Sequence, residues 1–295
     1  MEIIVGKIPG AKNSTALQER DDLIKIIRNN GFNCHEFMPN SEMLKYQNSL
    51  CNKTDANNFS VYLSNIYFWP RDSFLYFKDK HIIVKDHANE FHVGEGGYSV
   101  SSPVDSNNIF LSEYLIGNHA MISREQLPGV NIFNIEMGRK ENGKKLKHID
   151  LTCFYSGEHE TLFVDQNFYQ SSSKESFKKI KDRGVDVVFF NEEKHISYNY
   201  YPANCLSVSK NHINETVFIN EASVDLKNIL AQDYGMDLVS VKMYKNPQLT
   251  GSMRCASNIF ESPNPKKFIN LLNEINLNMF KSMLESNMEL SIVNQ

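Results

Sequence analysis

Strand-like and helix-like segments alternate along the whole chain, with no linker-grade stretch between them, and this confines the fold to the α/β class. Ile3 to Val5 is a short β run. Thr15 to Asn30 then reads as a helix, with caps at Asn13 and Ser14 and with Leu17, Leu23, Ile26 and Ile27 at helical spacing. Phe59 to Leu63 is extended. Ser73 to Lys85 reads as a hairpin whose apolar arms flank the polar turn Lys78-Asp79-Lys80. Further strands are expected at Asn108–Ser112, Val130–Glu136, His148–Tyr155, Thr161–Val164, Val185–Phe190, Asn204–Val208, Thr216–Ile219 and Leu238–Met243. Helices are expected at Ser172–Arg183, Val224–Asp233 and Pro265–Glu285, the last with Phe268, Leu271, Leu272, Ile275, Met279 and Met283 on one stripe. Helices come singly between pairs or triples of strands. The expected unit is therefore ββαβ-like, with helices outside and strand ends converging inside. No literal sequence repeat occurs, so any internal symmetry is structural. The segments fit one domain over residues 1–295.

Charge and composition remove several classes of function. With 31 basic and 35 acidic side chains the net charge is −4, and no basic cluster offers the surface that nucleic acid requires. No apolar run approaches the ~20 residues that cross a bilayer, so no membrane partner is expected. The opening segment, with Glu2 and Lys7 around one short apolar run, reads as a first strand and not as a signal peptide. Five cysteines (Cys34, Cys51, Cys153, Cys205 and Cys255) include no C-x-x-C pair, which argues against a zinc ribbon or a dithiol redox site and for free thiols in a reducing, cytoplasmic setting. No metal site is indicated.

Four short stretches place polar groups inside apolar, strand-like sequence, where unpartnered charge is costly. In Phe68-Trp69-Pro70-Arg71-Asp72, a carboxylate stands among Trp69, Phe74 and Tyr76. That setting suits a flat cation: rings cover its faces while the carboxylate takes its N–H edge. The plain alternative is a turn with surface charges at Arg71 and Asp72. In Gly94-Glu95-Gly96-Gly97-Tyr98, glycines around one acid permit close backbone approach, and the spacing is not that of a phosphate loop. In His148-Ile149-Asp150, a strand would project His148 and Asp150 to one side, placing a proton-transfer group beside an anion. A solvated strand edge is the alternative. In Gly251 to Asn258, Cys255 lies among small and polar residues beside Arg254, conditions that favour a thiolate. Cys153 and Cys205 sit in apolar runs and read as core. A thiol, an imidazole and three carboxylates together describe a cysteine nucleophile adapted to a cation.

In order and spacing, the W-P-R-D, E-G-G, H-I-D and R-C-A-S segments resemble the guanidine-modifying, or pentein, superfamily of arginine deiminases, agmatine deiminases, amidinotransferases and dimethylarginine hydrolases. The resemblance runs from about Asn65 to Asn258. It implies a five-bladed α/β propeller of ββαβ-type modules around a central polar site. It also implies that Cys255 attacks the guanidinium carbon, His148 serves as acid and base, Asp72 and Asp150 grip the guanidinium N–H groups, and Glu95 supports the cation and His148. Trp69, Arg71 and Arg254 are further substrate-binding candidates, either arginine being suited to a substrate carboxylate or to pairing with a neighbouring acid. No cofactor is needed, and the implied partner is a small guanidino substrate; homo-oligomerisation is left open. The motifs point to different branches. Arg254 before the cysteine matches arginine deiminases and Trp69-Pro-Arg-Asp agmatine deiminases, whereas Glu95-Gly-Gly favours hydrolases and His148-Ile-Asp-Leu-Thr amidinotransferases. The first expectation is a hydrolase that removes ammonia from arginine or an arginine-like molecule, and the alternative is an amidinotransferase. Action on protein arginine, or a non-catalytic binding module on the same fold, completes the set. A papain-like protease is disfavoured because its cysteine precedes its histidine.

Overall fold

Both ends of the chain meet in one sheet. The computed structural model describes residues 1–7, 14–49, 67, 69–73, 75–77, 80–82, 96–104, 107–112, 129–137, 148–193, 200–244 and 252–293. Strand β1 (Glu2–Gly6) lies between β2 (Asn33–Phe37) and β14 (Ser257–Phe260). It is parallel to β2, with Glu2 opposite Asn33, and antiparallel to β14, with Glu2 opposite Phe260. The crossover from β1 to β2 is α1 (Ser14–Asn29), whose Leu23, Ile24 and Ile27 pack on Ile3 and Val5. Of the apolar residues read from the sequence, Leu23 and Ile27 are buried and Leu17 and Ile26 half-buried, and Ala16, Arg20 and Ile24 complete the buried face.

The same strand pattern recurs along the chain. The hairpin β3 (Leu75–Phe77) and β4 (Lys80–Ile82) is antiparallel. Strands β5 (Ser99–Val100), β6 (Asn108–Ser112) and β7 (Asn131–Ile135) form a sheet in which the first pair is antiparallel and the second parallel. The sheet of β8 (Cys153–Ser156), β9 (Thr161–Asp165) and β10 (Asp186–Phe190) repeats that arrangement. So does the sheet of β11 (Leu206–Val208), β12 (Thr216–Asn220) and β13 (Asp237–Val241). The parallel pair in each of the last two sheets is joined by helices. These are α3 (Gln166–Ser171) and α4 (Lys174–Lys181) in one, and α5 (Val224–Asn228), continued by a π-helical turn over Ile229–Asp233, in the other. The fold is therefore α/β with small sheets, among the described residues four mixed three-stranded sheets and one antiparallel pair. Apolar clusters fill the spaces between sheets and helices; in one, Phe110 stacks on Phe133 at 5.1 Å and packs against Tyr155.

Several expectations need correction. The helix expected at Ser172–Arg183 forms as Lys174–Lys181, and a second, unexpected helix, Gln166–Ser171, precedes it; Ser172 is extended between them, and Asp165 caps the unexpected one by accepting from the Asn167 N–H at 2.8 Å. The strand expected from His148 begins only at Cys153, since Ile149–Leu151 is a 3₁₀ turn closed by the Thr152 N–H donating to the Ile149 carbonyl. Likewise Asn204 and Cys205 precede β11. Of the stripe expected on the last helix, α7 (Pro265–Val293), Leu272 is buried, Phe268 and Ile275 are half-buried and Leu271 is 49% exposed, while the unexpected Asn273, Asn276 and Leu277 are buried; the side chains of Met279 and Met283 lie outside what the structure describes. The helix's inward face is partly polar because the buried Tyr67 hydroxyl donates to Asn273. Strands β2, β5 and β14 and helix α2 (Ser41–Ser49) are additional to those expected. The segment Phe59–Leu63 lies outside the described residues. No helix among the described residues is long and apolar enough to cross a membrane.

Candidate active site

One strand of each sheet starts from a single polar cluster. Arg71 lies on the 3₁₀ turn Pro70–Ser73 before β3, and Gly97 on the turn Gly96–Tyr98 before β5. His148 and Asp150 lie at the turn before β8. Asn204 immediately precedes Cys205 and β11, and Cys255 lies in α6 (Met253–Ala256), a single helical turn leading into β14. The backbone at a strand's start has not yet entered its ladder, so these turns leave side chains free to converge.

The Arg71 guanidinium occupies the centre. Its Nη1 donates to Asp150 Oδ1 at 2.9 Å and Oδ2 at 2.7 Å, and it touches Cys255 Sγ at 2.5 Å. Its Nη2 donates to His148 Nδ1 at 2.9 Å. A guanidinium has no acceptor, so Nδ1 must accept, and the proton of the neutral ring sits on Nε2. One planar cation thus bridges the carboxylate, the sulfur and the imidazole. Arg71 is 4% exposed, and Asp150 and Cys255 are fully buried, so these contacts act in a medium of low polarity. Gly97 forms the floor. A Cβ there would stand 2.7 Å from Arg71 Cζ and 2.8 Å from His148 Nδ1, so only glycine lets the backbone lie against this group. The Tyr98 ring meets His148 edge-on, with centroids 4.9 Å apart.

Two further arginines surround the sulfur and its carboxylate. Arg254 Nε lies 3.5 Å from Asp150 Oδ2, and its Nη2 donates to the Ser99 carbonyl. Burial pulls the Arg254 pKa down, while Asp150 pulls it up. Arg20 is fully buried, donates to the Gly6 carbonyl at 2.9 Å and lies over the Trp69 ring at 4.9 Å. Burial lowers its pKa to about 9, against the attraction of Cys255. Trp69 packs with Leu151 and Tyr201 beside Cys255. Tyr201 adopts φ +47°, a left-handed conformation that costs a non-glycine residue about 1–3 kcal/mol.

Asn204 ties the cluster together, and sequence reasoning missed it. Its Nδ2 donates to the Asp150 carbonyl at 3.1 Å and to Asp150 Oδ2 at 3.0 Å. Its Oδ1 accepts from the Ser252 N–H at 3.1 Å and the Cys255 N–H at 3.2 Å. One amide therefore fixes the carboxylate to the turn that carries the sulfur. In a chain rich in asparagine, nothing distinguishes this one along the sequence.

Of the candidates read from the sequence, Arg71, His148, Asp150 and Cys255 are in direct contact, with Arg254 and Trp69 beside them. Arg71 is buried in the cluster, which overturns the reading of a surface-charged turn. Asp72 continues the turn that carries Arg71, its side chain outside what the structure describes; Glu95 also lies outside the described residues. Cys153 and Cys205 are buried, and burial pushes both thiols well above the usual range, as expected for core residues. Among the described residues no group of three or more His, Cys, Asp or Glu side chains is placed to hold a metal ion.

No protein-family model and no curated protein sequence matches the chain. Solved structures do. ArgZ, an arginine dihydrolase from the ornithine-ammonia cycle in cyanobacteria, superposes with a TM-score of 0.58 at 13% identity over 90% of this chain. SxtG, an amidinotransferase from the saxitoxin biosynthetic pathway of Microseira wollei, gives 0.55 at 14% over 89% of this chain and 94% of its own. The C. jejuni agmatine deiminase gives 0.53 at 11%, covering 88% of this chain and 93% of its own. The chain shares the α/β fold of these enzymes. It spans 39% of the length of ArgZ. At such identities the likeness between this chain and its neighbours is one of fold, and the chemistry must be argued from the cluster.

Proposed function

We propose that the protein is a cysteine-dependent guanidino-group hydrolase. The supporting observation is that the cluster already holds a guanidinium: the Arg71 group lies against Asp150, Cys255 and His148 at once. A site that accepts one planar cation between a carboxylate and a sulfur is shaped for another. In this reading Cys255 passes its thiol proton to neutral His148, making it the imidazolium, and the resulting thiolate adds to the substrate's guanidinium carbon. One C–N bond breaks and its electron pair leaves with nitrogen, which takes a proton from the His148 imidazolium and departs as ammonia. The sulfur is left as an S-alkylthiouronium. Neutral His148 then removes a proton from water, the resulting hydroxide adds to the same carbon, and the C–S bond breaks. A ureido product leaves and the thiolate returns. Asp150 holds the cation's plane, Asn204 holds Asp150, and Asp72 and Glu95 take the gripping and supporting roles that the family resemblance implies. No step calls for a cofactor.

The same reading makes the five sheets blades of a five-bladed propeller within one domain, 1–295. It is supported by the shared strand pattern, the common origin of one strand from each sheet and the pairing of β14 with β1. Cys34, Cys153 and Cys205, buried and outside any disulfide, fit a reducing compartment such as the cytoplasm. Incubation with arginine is expected to release ammonia and a ureido product, and Cys255→Ser to abolish both. Undiminished release by that variant would remove the cysteine from the mechanism. A new guanidino compound, formed only when an amine is supplied, would instead support amidino transfer.

A further inference from the structure

Away from the arginine cluster, one carboxylate is buried without a counter-ion. Glu215 stands just before β12, is 2% exposed, and is in ion-pair contact with no basic side chain among the described residues. Three sheets supply its neighbours. The Ser102 hydroxyl, just beyond β5, and the Gly157 N–H, in the turn after β8, donate to Oε1, the latter at 3.3 Å. Ser156, the last residue of β8, and Ser207, in β11, bring two more hydroxyls close enough to favour the charged form of the carboxyl. Strands β5, β8 and β11 all start from the arginine cluster, so Glu215 lies towards their far ends. The three residue steps from Cys153 to Ser156 alone span about 10 Å.

The carboxyl and its hydroxyls keep acceptors to spare. Glu215 Oε2 and Ser207 Oγ are buried and complete no hydrogen bond with any neighbour. Ser102 Oγ accepts from the Val104 N–H and Ser156 Oγ from the His159 N–H, so each keeps a further lone pair. A second acid deepens the negative potential, since Glu158 Oε2 accepts from the Glu215 N–H at 2.6 Å. A buried carboxylate left with one unpartnered oxygen and no cation is costly. We propose that Glu215, Ser102, Ser156 and Ser207 form a binding site for a small monovalent cation, which ties three sheets together at the end away from the arginine cluster. The donor set decides the class. Carboxylate and hydroxyl oxygens are hard ligands, and the group contains no imidazole or thiolate to favour zinc or copper. One inward carboxylate is balanced by one positive charge, whereas a divalent ion brings a buried charge that nothing pairs. Sodium, potassium and ammonium share that chemistry. The competing occupant is a proton on Oε2, shared with Ser207.

Thermal melts of the whole protein at about pH 8 separate the two occupants. Sodium, potassium and ammonium chloride, each at about 100 mM, are compared with the same concentration of tetramethylammonium chloride, whose cation is too large to enter. At least one small cation is expected to raise Tm by about 3 °C over tetramethylammonium, the shift for a Kd about tenfold below that concentration. The ranking of the three names the occupant. Glu215→Gln removes the charge but keeps the shape, and is expected to abolish the difference between salts. Ser207→Ala keeps the charge and removes one ligand, and is expected to cut the difference by at least half. Equal Tm values in all four salts for the unsubstituted protein overturn the proposal even if neither variant folds, and assign the carboxyl to a proton. A difference that survives at full size in either folded variant overturns it too, because the cation then acts elsewhere on the surface.

Discussion

Replacing Asn204 by alanine should cost far more than an average buried substitution. The side chain is fully buried and makes four hydrogen bonds, two to Asp150 and two to backbone N–H groups of the turn that carries Cys255. Alanine leaves the Ser252 and Cys255 N–H groups without that acceptor, at about 1–3 kcal/mol for each buried group so orphaned. It also removes one of the donors on Asp150 Oδ2, a charged acceptor, although Arg71 still reaches that oxygen. Water entering the vacated volume recovers part of the loss, so the net destabilisation should be about 3–5 kcal/mol. Aspartate at this position keeps the acceptor but sets a second carboxylate against Asp150, and should be comparably damaging at neutral pH. The reciprocal pair, Asn204→Asp with Asp150→Asn, restores one donor opposite one acceptor and should recover at least half of the stability while leaving the site inactive. Urea denaturation followed by circular dichroism measures all three variants. A loss below about 1 kcal/mol for alanine, or no recovery in the reciprocal pair, refutes the assignment of Asn204 as the tie between carboxylate and sulfur.

Two other substitutions separate site from scaffold. Gly97→Ala should lower activity by about a hundredfold while costing less than about 1 kcal/mol in urea, because the new methyl meets the movable ends of Arg71 and His148; a loss of stability with activity intact contradicts this. Glu215 is 2% exposed, and burial raises its pKa above the usual 4.5, with hydrogen bonds from Ser102 and Gly157 opposing. The folded state therefore binds more protons than the unfolded one as pH rises from 4.5 towards the raised value, so this group's effect is to lower stability across that window. Glu215→Gln should accordingly be more stable than the parent at about pH 8, with the advantage shrinking towards about pH 4 in thermal melts; an offset independent of pH assigns the effect to packing.

Local pattern made most elements legible. The short unbroken apolar runs of Asn108–Ser112 and Thr216–Asn220, and the helical spacing of α1, are signals within one segment, and each element stands where it was expected. Elements that depend on a distant partner were not. Strand β14 exists because Ser257 to Phe260 pair with the first residues of the chain, a contact that no local window contains. Leu271 was assigned to a buried stripe because it is apolar, whereas α7 turns Asn273 inwards to meet Tyr67. In the site, the chemistry of the residues was legible and their geometry was not. His148 and Asp150 were expected to share a strand face; they meet the same guanidinium from a 3₁₀ turn instead. Arg71 was read as a group awaiting a substrate carboxylate or a neighbouring acid, and the acid turns out to be Asp150, 79 positions away.

The central claim is that the sulfur at position 255 bonds to a guanidinium carbon, and the mass of the quenched protein tests it directly. After brief reaction with arginine and acid quench, the hydrolase reading predicts a peptide containing Cys255 that is heavier by about 157 Da, which is arginine less ammonia. An adduct of about 42 Da, the amidino group alone, identifies the transferase instead. Turnover of arginine without either adduct at Cys255, or with the adduct on another residue, contradicts the account.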